Sequence, residues 1–146
     1  MRLKRLAILI VSASLLAFVG LSSSCSARYT DISGEPAYAG WVGQRCVVVK
    51  GLRAHGFTLD LRRRDVTHEV DVTTLPGIGG PEITFATPVP KGTTFVVRSV
   101  RKCWNCPFDR ISYGIEIPDI PELVPHKVFA RSEALALDEA QCTQKK

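Results

Sequence analysis

From position 44 onward, apolar residues recur with a period of two, in short runs fenced by turn formers. The first run is 44–50 (QRCVVVK). In 55–61, Phe57, Leu59 and Leu61 fall on one face and Thr58 and Asp60 on the other, which predicts a half-buried strand. A looser alternation around Val70 and Val72 marks 67–73, and Ile83 and Phe85 align in 82–86. The turn PVPKG at 88–92 leads into a strand at 93–102. The cleanest alternation is 110–117, where Ile111, Tyr113, Ile115 and Ile117 share one face; 126–130 is the last candidate strand.

The connections are equally readable. LPGIGGP at 75–81 is a loop by composition, and its glycines fit no phosphate-binding fingerprint, since no GxGxxG register exists and no helix pattern follows. IPDIPELVP at 117–125 carries a proline every three or four residues. Proline fixes φ and withholds a donor, so this stretch predicts an extended surface connection and no central strand. Ser132 before EALALDEAQ predicts the N-cap of a short helix ending near Cys142, with Glu133, Asp138 and Glu139 on its solvated face.

These elements predict an all-β fold: a small, partly open SH3-like barrel or a sandwich with a short C-terminal helix, an OB-type barrel being the alternative. The order of short strands, with GTTFVVRSV entering a hairpin and Pro-rich connections beyond it, resembles bacterial SH3-type envelope domains in pattern alone. Residues 44–146 form a single β-rich domain on this reading. The mixed, glycine-rich stretch before it makes 25–43 a tether or N-terminal arm, with Trp41 as a core plug.

The first 24 residues follow a different rule. MRLKR is a basic n-region, LAILIVSASLLAFVGL an apolar h-region, and SSSC a run of small residues, the three parts of a secretory signal. Its 16 apolar-run residues, 6–21, fall short of the roughly 20 that span a bilayer, so 1–24 predicts a signal peptide. The stretch Leu21-Ser22-Ser23-Ser24-Cys25 resembles the lipobox of bacterial lipoproteins, with Ser22 where leucine is usual and Leu21 one place back. That resemblance covers the first 25 residues only. It implies a diacylglycerol on Cys25, attachment to a membrane through that N-terminal lipid, and, from Ser26, routing to the outer membrane facing the periplasm. Ordinary cleavage after Ala27, with Cys25 and Ala27 as the small residues, is the alternative and yields a soluble periplasmic or secreted protein.

Charge narrows the partners. Arg2, Lys4 and Arg5 leave with the signal, so 16 basic side chains face 14 acidic ones, a net of +2. A near-neutral domain lacks the strongly basic face that nucleic acid requires, and no nucleic-acid partner is expected. Arg62, Arg63 and Arg64 form the one local cluster, read either as a solvated turn or as a contact for anionic lipid headgroups or cell-wall polymer.

There are five cysteines, at 25, 46, 103, 106 and 142. Either cleavage removes Cys25 from thiol chemistry and leaves an even number, which suits an oxidising compartment. The stretch RKCWNCPF, 101–108, admits a working dithiol, half a metal site or a staple. Active CxxC thiols usually sit at a helix N-terminus. Here PFDRISYGIEI follows with a strand period, although Arg101, Lys102 and Arg110 are able to lower a thiol pKa. Zinc needs two further ligands, while Cys46, Cys142, His55, His68 and His126 are scattered singly. Pro107 stands where covalent haem attachment requires histidine. The pattern favours a staple: Cys103–Cys106 across a hairpin tip and Cys46–Cys142 as the second bond, with Cys46 to Cys103 or Cys106 the other pairing. No metal or cofactor is expected.

A rigid tip makes Trp104, Asn105 and Phe108 the binding candidates; the competing reading folds Trp104 back over the barrel end. There is no GxSxG, no HExxH and no pair of carboxylates spaced for shared work, and Asp60, Asp65 and His68 are close only as loop neighbours. The expectation is therefore a non-enzymatic, lipid-tethered envelope protein, a binding or structural module for an envelope protein or cell-wall polymer. The alternative is an envelope thiol–disulfide oxidoreductase or metal carrier using Cys103 and Cys106. A third reading is an inhibitor whose tip plugs an enzyme cleft.

Overall fold

The computed structural model describes residues 27–106, 110–137 and 141–143. The predicted signal 1–24, the lipidation candidate Cys25, and Phe108, Asp138 and Glu139 lie outside the described residues. The described residues form nine strands: β1 (Tyr29–Asp31), β2 (Arg45–Val47), β3 (Leu52–Phe57), β4 (Glu69–Thr74), β5 (Ile83–Val89), β6 (Thr94–Cys103), β7 (Arg110–Glu116), β8 (Val128–Arg131) and β9 (Cys142–Thr143). One-turn helix α1 (Ser132–Leu135) follows β8, and a 3-10 turn occupies Pro121–Leu123. The fold is all-β with a short C-terminal helix.

All strands join one sheet in the order β5-β3-β4-β8-β7-β6-β2-β9, with β1 added alongside β6. The β4–β8 ladder is parallel and the others are antiparallel. No ladder joins β5 to β9 among the described residues, so the sheet does not close into a barrel. It still encloses one core. Leu52 of β3, Val70 and Val72 of β4, Val89 of β5, Phe95 and Val97 of β6, Ile115 of β7 and Val128 of β8 share a single buried cluster. A flat sheet cannot bring strands from both of its halves to one core; this one twists and curls around it. A register shift between Val97 and Ser99 bends β6, whose first half pairs with β2 and second half with β1.

The stretch before β2 belongs to the domain. Ile32 enters the core, and Tyr38 and Trp41 pack against it, half-buried. At the other end, Leu123 is buried and fastens the proline-rich connection to the core from its 3-10 turn.

β5 extends to Val89, into the turn predicted at 88–92, and β1 and β9 have no counterpart in the sequence prediction. Two further elements differ from it. The strand expected at 55–61 is Leu52–Phe57, and Leu59 and Leu61 are 85% and 56% exposed. Side chains turn the chain there. The Thr58 hydroxyl accepts from the Asp60 N–H at 3.2 Å and lies 3.0 Å from the Asp60 carbonyl, and Asp60 Oδ1 accepts from the Arg62 N–H at 2.9 Å. The helix is also shorter than expected. Arg131, with no side-chain cap bond, precedes it, Ser132 is its first residue, and Ala136 ends it in the left-handed region at φ 45°. Cys142 lies in β9, directly opposite Cys46 of β2, rather than at a helix end.

Candidate binding surface

Cys103 is the last residue of β6, fully buried, and bonds to Cys106 with the Cα atoms 5.7 Å apart. The second bond joins Cys46 to Cys142 across the β2–β9 ladder, with Cα atoms 4.0 Å apart. The Cys103–Cys106 turn is tied to β1 and the residue before it. The Trp104 N–H donates to the Arg28 carbonyl at 3.0 Å, and the Arg28 N–H donates to Asn105 Oδ1 at 2.6 Å. Trp104 Nε1 donates to Thr30 Oγ1 at 2.8 Å, and the Lys102 ammonium lies 4.6 Å from the indole centroid.

Trp104 is nonetheless 61% exposed and stands outside the core cluster. An exposed indole normally samples several rotamers, and a ligand must freeze it on binding. Here the indole hydrogen bond to Thr30 and the cation–π contact with Lys102 favour one orientation.

Strand β1 separates two surfaces. Thr30 sits opposite Lys102, so Thr30, Lys102 and Trp104 share one face of the β1–β6 ladder. Tyr29 and Arg101 occupy the other face. There the Arg101 guanidinium lies 3.9 Å from the Tyr29 ring centroid and 3.2 Å from that of Phe129 on β8, and makes a two-pronged salt bridge with Glu69 of β4. Beside it, Arg131 pairs with Asp71 at 3.2 Å. Burial pushes the Asp71 carboxyl above the usual aspartate value, while Arg131 pulls it back. A groove of about 560 Å³ opens on this side, lined by Ala27, Tyr29, Phe57, Leu59, His68, Glu69 and Asp71.

The remaining candidates do not converge. His68 Nδ1 accepts from the Leu59 N–H at 3.2 Å, Asp65 lies 3.8 Å from Arg63, and Asp60 shapes its own turn. His55 is buried under the 75–78 loop, and His126 packs against Phe85. Among the described residues, no group of three His, Cys, Asp or Glu could hold a metal ion, and no helix is long and apolar enough to cross a membrane. Sequence reasoning missed Thr30, Tyr29, Glu69 and Phe129, and read Arg101 only as a charge beside the two cysteines. Their roles depend on strand order, for which a single sequence carries no local signal.

No protein family matches the chain, and neither a curated protein nor a solved structure matches it.

Proposed function

We propose that this chain is an exported, lipid-anchored envelope protein whose mature domain is a non-enzymatic binding module, with Trp104 as its anchor. The signal pattern and the lipobox-like stretch ending at Cys25 support export and tethering. The observation that carries the binding role is the pre-set Trp104: 61% exposed, yet held by Thr30 Oγ1 and by the backbone of Arg28. Large aromatics fixed in solvent are typical anchors of recognition surfaces. Cys103 is buried and Cys106 half-buried, and the strand period on both sides of the turn supports a staple over a dithiol activated at a helix N-terminus. The partner is an envelope protein or cell-wall polymer.

The test places a photoreactive phenylalanine analogue at position 104 in the exported protein, and at exposed Glu122 as a control. A defined adduct with an envelope protein or with cell-wall polymer, from position 104 alone, is the expected result. No adduct from 104, or identical adducts from both positions, removes Trp104 as the anchor. The dithiol alternative is tested separately: catalytic reduction of a model disulfide by the purified protein with reduced glutathione as the electron donor, faster than glutathione alone and lost in Cys103→Ser/Cys106→Ser, would establish it instead.

A further inference from the structure

We infer that the loop after β3, carrying Leu59, Leu61, Arg62, Arg63 and Arg64, is a second membrane contact that seats the domain on anionic phospholipid. The inference rests on the lipid-anchor reading above. Its chemistry begins with exposure. Leu59 is 85% and Leu61 56% exposed, and all three arginines are exposed. The leucines cannot simply turn inward, because the Thr58 and Asp60 side chains hold the loop through the Asp60 and Arg62 N–H groups. Arg62 and Arg64 have no carboxylate partner among the described residues. Arg63 meets Asp65 at 3.8 Å, with both side chains mostly in water, so that pair is easily exchanged for a phosphate. Leucines beside arginines, apolar groups at the acyl boundary and cations at the headgroups, are what a bilayer interface selects.

Position supplies the second argument. Ala27 lines the same groove as Leu59. Cys25 lies two residues before Ala27, a reach of about 7 Å at full extension, so a lipid on Cys25 enters the bilayer close to this loop. Tyr29, 43% exposed on the groove wall, adds an aromatic of the kind found at the headgroup level. Arg62, Arg63 and Arg64 face Asp60 and Asp65 here, while Glu69 and Asp71 of the groove are paired with Arg101 and Arg131. Trp104 lies on the opposite face of the β1–β6 ladder and stays available to a partner while this side meets lipid.

The experiment has two readouts. Mass spectrometry of the peptide containing residue 25 reports lipidation by itself. The Cys25→Ser chain, recovered after export and signal removal, is then floated with vesicles of phosphatidylglycerol and phosphatidylcholine, and with phosphatidylcholine alone. Binding to the anionic vesicles only is expected. Replacing Arg62, Arg63 and Arg64 by Gln should lower the partition about a hundredfold, at about fivefold per arginine. Equal partition of parent and triple variant overturns the inference, even where residue 25 is lipidated. An unmodified residue 25 with loop binding intact overturns the anchor alone. Should the Cys25→Ser chain escape processing, trypsin replaces flotation on wild-type protein in the same vesicles. Cleavage after Arg62–Arg64 should be blocked on anionic vesicles and restored in detergent, and equal cleavage in both overturns the inference.

Discussion

Arg101 of β6 and Glu69 of β4 meet on the outer face of the sheet although two strands, β8 and β7, lie between them. Three strand spacings amount to about 14 Å, so both side chains must reach along the sheet. Phe129 on the intervening β8 provides the bed on which the guanidinium lies, and Tyr29 covers it from β1. Residues of three other strands thus converge on one arginine. The Arg101 side chain is 14% exposed and that of Glu69 35%, so the pair is only partly dried and its worth lies below that of a deep one.

Arg101→Ala should destabilise the domain by about 2 kcal/mol, from the stranded Glu69 carboxylate and the lost stacking on Tyr29 and Phe129. Arg101→Lys keeps the charge but not the planar fork, and should recover no more than about half. Adding Glu69→Gln to Arg101→Ala should restore stability, because it removes the unpaired charge. Urea unfolding of the four proteins checks this. A loss below about 0.5 kcal/mol for Arg101→Ala would make the cluster an ordinary surface contact.

How far this was legible in sequence varies residue by residue. The alternation at 110–117 is a local property of one strand, and Tyr113, Ile115 and Ile117 are indeed buried. The same rule misled at 55–61, because Leu59 and Leu61 continue the parity of Phe57 beyond the point where Thr58 and Asp60 turn the chain. Trp104 admitted two orientations in sequence. The residue that settles its position, Thr30, is 74 positions away and reaches it only through the β1–β6 ladder. Arg101–Glu69 was out of reach for the same reason: it requires the order β4-β8-β7-β6, including a parallel ladder.

The two disulfides should differ in stabilising effect. Cys46–Cys142 closes a sequence separation of 96 and Cys103–Cys106 a separation of 3. In the loop-entropy model the first contributes about 4.7 kcal/mol and the second about 2. Paired Cys→Ser variants, compared by denaturant midpoint, should therefore show the larger loss for the 46/142 pair. A larger loss from the 103/106 pair would mean that the turn's bonds to Arg28 and Thr30 hold β1 more firmly than chain entropy implies.

Gly77 has φ +97°, and a Cβ there would come within 2.5 Å of His55 Nε2 and 2.8 Å of Cε1. Backbone strain and a clash with a buried ring then act together, and Gly77→Ala should lose about 2–4 kcal/mol. Gly79→Ala, with nothing within 4 Å and no positive φ, is the matched control in the same loop and should be near neutral. Equal stability of the two variants would contradict the packing of this loop on His55.

That ring also sets a pH dependence. His55 is 2% exposed, and its Nε2 accepts from the Ile78 N–H at 3.3 Å, which requires an unprotonated Nε2. Protonation would place two donors face to face and a charge in a dry site. Burial, and then Arg53, hold the His55 pKa below its ordinary 6.5. The unfolded chain takes up a proton near 6.5 that the folded chain refuses, so stability is complete above that pH and falls as the pH drops below it, by at most about 1.4 kcal/mol per unit. Asp71 has the opposite sign. Its raised pKa lets the folded state hold a proton more tightly, so its contribution grows as the pH falls through that value toward the ordinary 3.8. The His55 limb therefore lies in the window just below 6.5. His55→Gln removes the titrating group, and the difference in unfolding free energy between wild type and variant should be flat above 6.5 and shrink below it. A constant difference through that window would mean that the folded chain accepts the proton as readily as the unfolded one, and the buried neutral ring would be the wrong description of His55.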